Sequence, residues 1–298
     1  MVSDFEAQVR ATEAKVRATN EKINARTGRP LALAITVGVV LGGALLLSLM
    51  FNKALFMFFV APLIGFTALE LASALRFAGR DIPRIPTVIA AVAVVPAAFF
   101  WLAQGHWLIT LAGVAFIALW RLVESIRPSH RASAKEMLKD LAAGTFIMAY
   151  VVFLATFTVL LTAQPDGQWW TLAFLIIVIA IDTGALASGL AFGKHPMAPI
   201  ISPKKTWEGF IGSAVIAMAA GILLGLFMLH EEWWVGLILG LTMLVTATMG
   251  DLAESLIKRD LGVKDISTWL PGHGGFLDRL DSSLFSAAAA YVLFLIFT

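Results

Sequence analysis

The stretch WWTLAFLIIVIAIDTGALASGLA, Trp169–Ala191, carries one charged side chain, Asp182, in 23 residues. A helix that crosses the hydrocarbon core of a bilayer needs about 20 mostly apolar residues. Eight comparable runs lie near residues 31–51, 54–75, 86–103, 107–121, 141–163, 208–229, 233–254 and 282–298. They are continuous rather than alternating, and lipid cannot satisfy an open backbone, so helices are expected and a β-barrel is not. The sequence predicts an all-α polytopic membrane protein with about nine transmembrane helices. Composition agrees. Of 298 residues, 59% are hydrophobic and 14% charged, against about 25% charged in a soluble domain. Mean hydropathy is +0.85. There are no cysteines, which excludes disulfides and thiolate metal sites. A net charge of +2 gives no reason to expect a nucleic-acid partner.

Lys and Arg set the orientation. With the N-terminus in the cytoplasm, every one of the 22 basic residues except Lys53 falls on the cytoplasmic side. Asp166, Glu231 and Glu232 then face outward, and the C-terminus lies outside. The first apolar run begins near Leu31, after a long charged segment, so no cleavable secretory signal is expected. Residues 4–27 read as an amphipathic surface helix, with Phe5, Val9, Thr12, Val16, Thr19 and Ile23 spaced by three or four. Its weak heptads leave a homodimer open. Three regions follow: a cytoplasmic N-terminal helix (1–30), an N-terminal bundle of about four helices (31–140) and a C-terminal region with cytoplasmic motif loops (141–298).

Two cytoplasmic segments are unlike ordinary loops. One reads Gly193-Lys194-His195-Pro196, then Ser202-Pro203-Lys204-Lys205-Thr206-Trp207-Glu208-Gly209. The other runs from Gly250-Asp251 through Ser255, Lys258-Arg259, Lys264-Asp265 and His273-Gly274-Gly275 to Asp278-Arg279-Leu280-Asp281. Carboxylates, cations, hydroxyls and glycines at this density suit phosphate chemistry with a metal. Carboxylate oxygens bind hard cations such as Mg²⁺. Lys and Arg neutralise phosphate oxygens, and glycines admit backbone amides to a phosphate.

Helix spacing groups these residues. Asp251, Glu254, Ser255 and Lys258 fall on one face. Asp278 and Asp281 share a face if the last helix starts there. Two such carboxylate faces suit one or two divalent ions held against a triphosphate. Asp182, well inside its run, costs about 2.5–3.5 kcal/mol on insertion scales and marks a working site. Glu70, near the cytoplasmic end of the second run, reads as structural.

The stretch from Ser255 to Asp281 resembles the phosphatidate cytidylyltransferase signature along its whole length: Ser255, Lys258-Arg259, Lys264-Asp265, His273-Gly274-Gly275, Asp278-Arg279, Asp281. Ser202–Gly209 is similar to a second block of that family, and Asp182-Thr183-Gly184-Ala185 to a third. Two positions depart from the family pattern. Leu186 replaces a frequent aromatic residue, and Gly189-Leu190 replaces a frequent Gly-Arg. The missing arginine removes one basic contact.

The resemblance implies transfer of a cytidylyl group from CTP to phosphatidic acid with Mg²⁺, giving CDP-diacylglycerol and pyrophosphate at the cytoplasmic face of the bacterial inner membrane. It implies that Asp251 and Asp278 hold the metal, with Asp281 and Asp182 assisting; a monovalent cation fits as a second ion. Lys258, Arg259 and Arg279 join Asp251 and Asp278 in catalysis. Ser202, Lys204, Lys205, Ser255, Lys264, His273, Gly274 and Gly275 contact substrate phosphates. The rivals are a CTP-dependent kinase of a lipid alcohol such as a polyprenol, and a transporter. Against a transporter, no inverted repeat is evident and the polar residues gather on one side.

Overall fold

The computed structural model describes residues 31–263, 265–267, 269 and 274–298. The helix expected at 4–27, Lys264 and His273 lie outside the described residues. Within them, nine helices stand where the apolar runs place them. These are α1 (Leu31–Phe51), α2 (Lys53–Phe77), α3 (Arg84–Phe100), α4 (Leu102–Glu124), α5 (Ala134–Ala163), α6 (Gly167–Phe192), α7 (Trp207–Leu229), α8 (Trp233–Asp260) and α9 (Leu277–Phe297). Seven are long and apolar enough to cross a membrane; α1 and α3 present shorter apolar lengths. Large apolar side chains such as Ile85, Ile179, Leu190 and Phe227 face outward, as they do where the solvent is lipid.

Local sequence signals set the helix starts. The Asn52 side chain accepts the Ala54 N–H at 2.8 Å and opens α2. Ser133 and Glu136 form a reciprocal capping box on α5, at 3.2 and 2.9 Å. Thr206 accepts the Gly209 N–H at 3.1 Å and opens α7.

Several boundaries differ from the sequence reading; α5, for one, begins at Ala134 rather than near 141, and α8 runs on to Asp260. The polar trio Gln104-Gly105-His106 reads as the break between the third and fourth runs. The chain breaks earlier, at Trp101, and Leu102 has φ +50°. His106 is instead interior. Its ring stacks on Phe153 at 4.4 Å and its Nε2 lies 3.1 Å from the Phe153 carbonyl oxygen. That carbonyl ends a π-helical segment of α5, Met148–Phe153, where the wider turn frees backbone acceptors. The last helix starts at Leu277 rather than 282, so Asp278 and Asp281 lie on it. Between α6 and α7 stands an antiparallel hairpin, β1 (Pro196–Ala198) and β2 (Ser202–Thr206), pairing Pro196 with Thr206 and Ala198 with Ser202. It is a small departure from the all-helical expectation.

The apolar interior forms two regions. One joins α2, α3 and the middle of α5 with Leu49 of α1, Ile117 of α4, Leu172 of α6, and Leu277 and Leu284 of α9. The other joins Leu160 and Leu161 of α5 with α6, α7, α8 and the rest of α9. Helices α7 and α8 approach closely because glycines face each other. A Cβ on Gly221 would lie 2.3 Å from the Gly236 carbonyl oxygen, and one on Gly240 would lie 2.3 Å from that of Ala217. In lipid, such backbone proximity drives helix association.

At the end of the bundle that carries the loops after α2 and α4, a polar network joins three segments. Arg121, 2% exposed, donates to Asp140 through Nε at 3.1 Å and Nη2 at 2.8 Å, and to the His130 carbonyl at 3.0 Å. Asp81, in the turn after α2, meets Arg76 at 3.0 Å and His130 Nδ1 at 2.6 Å. Partial burial alone would raise the Asp81 pKa. The His130 hydrogen bond and the charges of Arg121, His130 and Arg76 outweigh it, and the pKa lies below the ordinary aspartate value.

Two outcomes follow for stability in detergent. Gly236→Leu should lower the thermal unfolding temperature, by the equivalent of about 1–3 kcal/mol of overpacking. The Asp81 contribution is fully present above the unfolded pKa of about 3.9 and is lost as pH falls through the depressed folded value. The gap in unfolding temperature between wild type and Asp81→Asn should therefore hold from neutral pH to about pH 4 and close below it.

Candidate active site

Helix α8 brings its carboxylates to α9 through one missing side chain. A Cβ on Gly250 would lie 2.2 Å from the Asp281 carbonyl oxygen, so the two helices cross with Asp251 beside Asp281. Thr246 and Ser286 hydroxyls meet at 3.0 Å lower in the same crossing. Helix α6 joins by the Ser282 hydroxyl, 3.4 Å from Asp182 Oδ1. Helices α6 and α7 pack tightly enough that a Cβ on Gly212 would lie 2.2 Å from the Ser188 hydroxyl.

These contacts enclose a cavity of about 360 Å³. Asp182 lines it from α6, Lys204, Lys205 and Thr206 from the hairpin, Asp251 from α8, and Asp278, Arg279, Asp281 and Ser282 from α9. Four carboxylates thus face three cations. Ile181, Leu186, Met197 and Phe210 form an apolar wall on the α6–α7 side. Lys205 pairs with Asp251. Asp281 is almost fully buried, and its Oδ1 accepts the Ser282 N–H at 2.7 Å.

Asp278 is held at both oxygens. Lys258 donates to Oδ1 at 3.0 Å and the Gly275 N–H donates to Oδ2 at 2.8 Å. Lys258 also pairs at 2.6 Å with Glu254, which is 1% exposed. One ammonium therefore serves two carboxylates in the interior.

The hairpin is fixed at both ends. At its base, Glu208 accepts the Lys194 and His195 N–H groups at 3.0 and 3.2 Å and meets His195 Nδ1 at 2.5 Å. Near its tip, Arg259 Nε donates to the Ile201 carbonyl at 3.2 Å. Lys204 and Lys205 are carried over the cavity between these two points.

Seven of the residues singled out in the sequence line this one cavity: Asp182, Lys204, Lys205, Asp251, Asp278, Arg279 and Asp281. Of the other candidates among the described residues, Ser202, Ser255, Lys258, Arg259, Gly274 and Gly275 stand outside its lining, each with a partner or place of its own. Lys258 sits behind Asp278, and Arg259 binds the hairpin backbone. Ser202 pairs with Ala198 in the hairpin, and Ser255 lies 3.5 Å from Asp251 Oδ1. Gly274, at φ +86°, and Gly275 form the turn before α9. A Cβ on Gly274 would lie 2.8 Å from Asp278 Oδ2. Residues without an assigned part in the sequence reading now have one: Glu254 as the second partner of Lys258, Glu208 as the base of the hairpin and Thr206 as a cap lining the cavity. Glu254 carried a signal, being three residues after Asp251 on its face. Glu208 lay in the quoted tract, but no spacing rule links it to His195.

The profile of the cytidylyltransferase family matches residues 32–297. The chain belongs to the cytidylyltransferase family. Among relatives of this cytidylyltransferase, a phosphatidate cytidylyltransferase of Mycobacterium bovis is 39% identical over 279 residues, covering 90% of each chain. One of Mycobacterium leprae is 38% identical over 281 residues, covering 90% of this chain and 88% of its own. One of Staphylococcus epidermidis is 32% identical over 258 residues, covering 86% and 92%.

Breaking a buried pair by removing one partner leaves an uncompensated charge. Lys258→Met should therefore lower the unfolding temperature of this cytidylyltransferase in detergent clearly more than Arg259→Met, which removes one hydrogen bond from an exposed side chain. Thermal unfolding followed by tryptophan fluorescence measures both.

Proposed function

We propose that this chain transfers the cytidylyl group of CTP to phosphatidic acid, releasing pyrophosphate and forming CDP-diacylglycerol. The observation that carries the reading is the single cavity in which carboxylates from three helices meet lysines from the hairpin. The family membership and the names of the relatives supply the substrates.

A phosphate oxygen of phosphatidic acid attacks the α-phosphorus of CTP. The new O–P bond forms as the bond to pyrophosphate breaks. The attacking oxygen is already ionised, so positioning and charge neutralisation carry the reaction and no strong base is needed. Lys204, Lys205 and Arg279 line the cavity and neutralise phosphate oxygens. Lys205 leaves Asp251 for a phosphate as substrate arrives. Lys258 aims Asp278 through their hydrogen bond, without touching substrate.

The donor set fits Mg²⁺: Asp182, Asp251, Asp278 and Asp281 are hard oxygen donors on one cavity. Among the described residues no three of them are already drawn together as a metal group, in keeping with Lys205 and Lys258 holding two of them. Those four residues would hold the ion, and Mg²⁺ bound there supplies Lewis-acid polarisation of the phosphoryl oxygens.

The membrane setting follows from the charges. All basic residues but Lys53 fall at one end of the helix alternation. The positive-inside rule makes that end cytoplasmic, which gives nine spans with the C-terminus outside, in the cell (inner) membrane. Lys53 reaches the Gln164 carbonyl at 2.5 Å at the opposite end. The site then lies at the headgroup level of the inner leaflet. Lipid tails stay in the bilayer, past the apolar α6–α7 wall. Residues 141–298 carry the chemistry and 31–140 support it.

Purified membranes given CTP labelled at the α-phosphorus should label the lipid product, and γ-labelled CTP should not. Transfer of the γ label would make the protein a lipid kinase. Asp278→Asn should insert normally and lose CTP-dependent product; near-normal activity in that variant would remove Asp278 from the mechanism.

A further inference from the structure

The last helix of the catalytic region is started by a residue of the other half of the chain. Glu70 lies on α2 and is 2% exposed. Its Oε2 accepts the Leu277 N–H at 2.8 Å, across 207 residues of sequence. Its Oε1 accepts the Ser267 hydroxyl. The first N–H groups of any helix lack partners within it. Phe276, which precedes α9, offers no side-chain cap, so the acceptor has to come from elsewhere.

The same junction has an apolar half. The Phe276 ring stacks on Phe66, one turn before Glu70 on α2, with centroids 5.1 Å apart and planes at 20°. A glycine completes the fit, because a Cβ on Gly275 would lie 2.0 Å from Glu70 Oε1. The Gly275 N–H in turn binds Asp278 Oδ2 at 2.8 Å. From α2 to the cavity the chain of contacts is therefore Glu70, the Gly275–Leu277 backbone, Asp278. Asp281 follows one turn along the same helix.

We propose that Glu70 is a positioning residue for cytidylyl transfer, acting through the N-terminus of α9 to set Asp278 and Asp281 at the cavity. It lines no part of the cavity itself and touches no substrate. The proposal rests on the cavity being the site of transfer. It also gives the N-terminal bundle a part in the reaction, since α2 supplies the reference against which the acidic helix is placed.

The test compares the full-length wild type with Glu70→Gln, Glu70→Ala and Gly275→Ala in detergent. Glutamine keeps an acceptor for Leu277 and a polar partner for Ser267; alanine keeps neither. Gly275→Ala leaves Glu70 in place but drives its carboxylate away. The readouts are hydrogen exchange of the peptide spanning Leu277–Ser282, and kcat and KM for CTP. Glu70→Ala and Gly275→Ala should exchange about tenfold faster in that peptide and lose about 10–100-fold in kcat, with KM for CTP little changed. Glu70→Gln should restore most of both. Unchanged exchange in an active Glu70→Ala protein overturns the proposal through the contact. Faster exchange with kcat intact overturns it by reducing Glu70 to a structural cap. A wild type that makes no cytidylylated lipid overturns it through the function it rests on, whatever the exchange shows.

Discussion

Carboxylates inside a helical bundle must be answered by cations or hydrogen bonds, because an isolated charge in a low-dielectric interior is not tolerated. The packing of the C-terminal half follows that constraint. Glu254 and Asp278 share one ammonium, Asp251 takes another from the hairpin, and Asp281 takes a backbone N–H beside it. The two lysines differ in consequence. Lys258 bridges two acids of neighbouring helices. Lys205 comes from a hairpin and holds one acid.

The constraint also explains the glycines. Acid-bearing helices can be neutralised together only if their backbones come close, and Gly250 permits that at the α8–α9 crossing. The second requirement is a fixed hairpin. Glu208 ties its base and Arg259 its tip, and the two basic residues between them are thereby brought over the acids. Lys258 and Arg259, which read as phosphate ligands, make their contacts here with Asp278 and Glu254 and with the hairpin backbone.

The sequence made much of this legible. Apolar run length located all nine described helices, because in lipid the pattern and the structure obey the same rule. The three- and four-residue spacing of Asp251, Glu254 and Lys258 put them on one face, and their contacts bear this out. What was not legible depends on distance in space. The break between α3 and α4 was misplaced because His106 looks like a loop residue until Phe153 is beside it. Glu70 read as structural, but nothing in a chain 207 residues apart points to Leu277. The places of Ser202, Ser255, Gly274 and Gly275 outside the cavity lining were not legible either, because composition shows chemical type and not direction.

Helix α5 has a wider effect. Ile147, Met148, Val151, Ala155 and Val159, before, within and after its π segment, pack in the first apolar region, and Leu160 and Leu161 near its end pack in the second. One continuous rod therefore belongs to both regions, so that the supporting bundle and the acidic bundle are built on a common member.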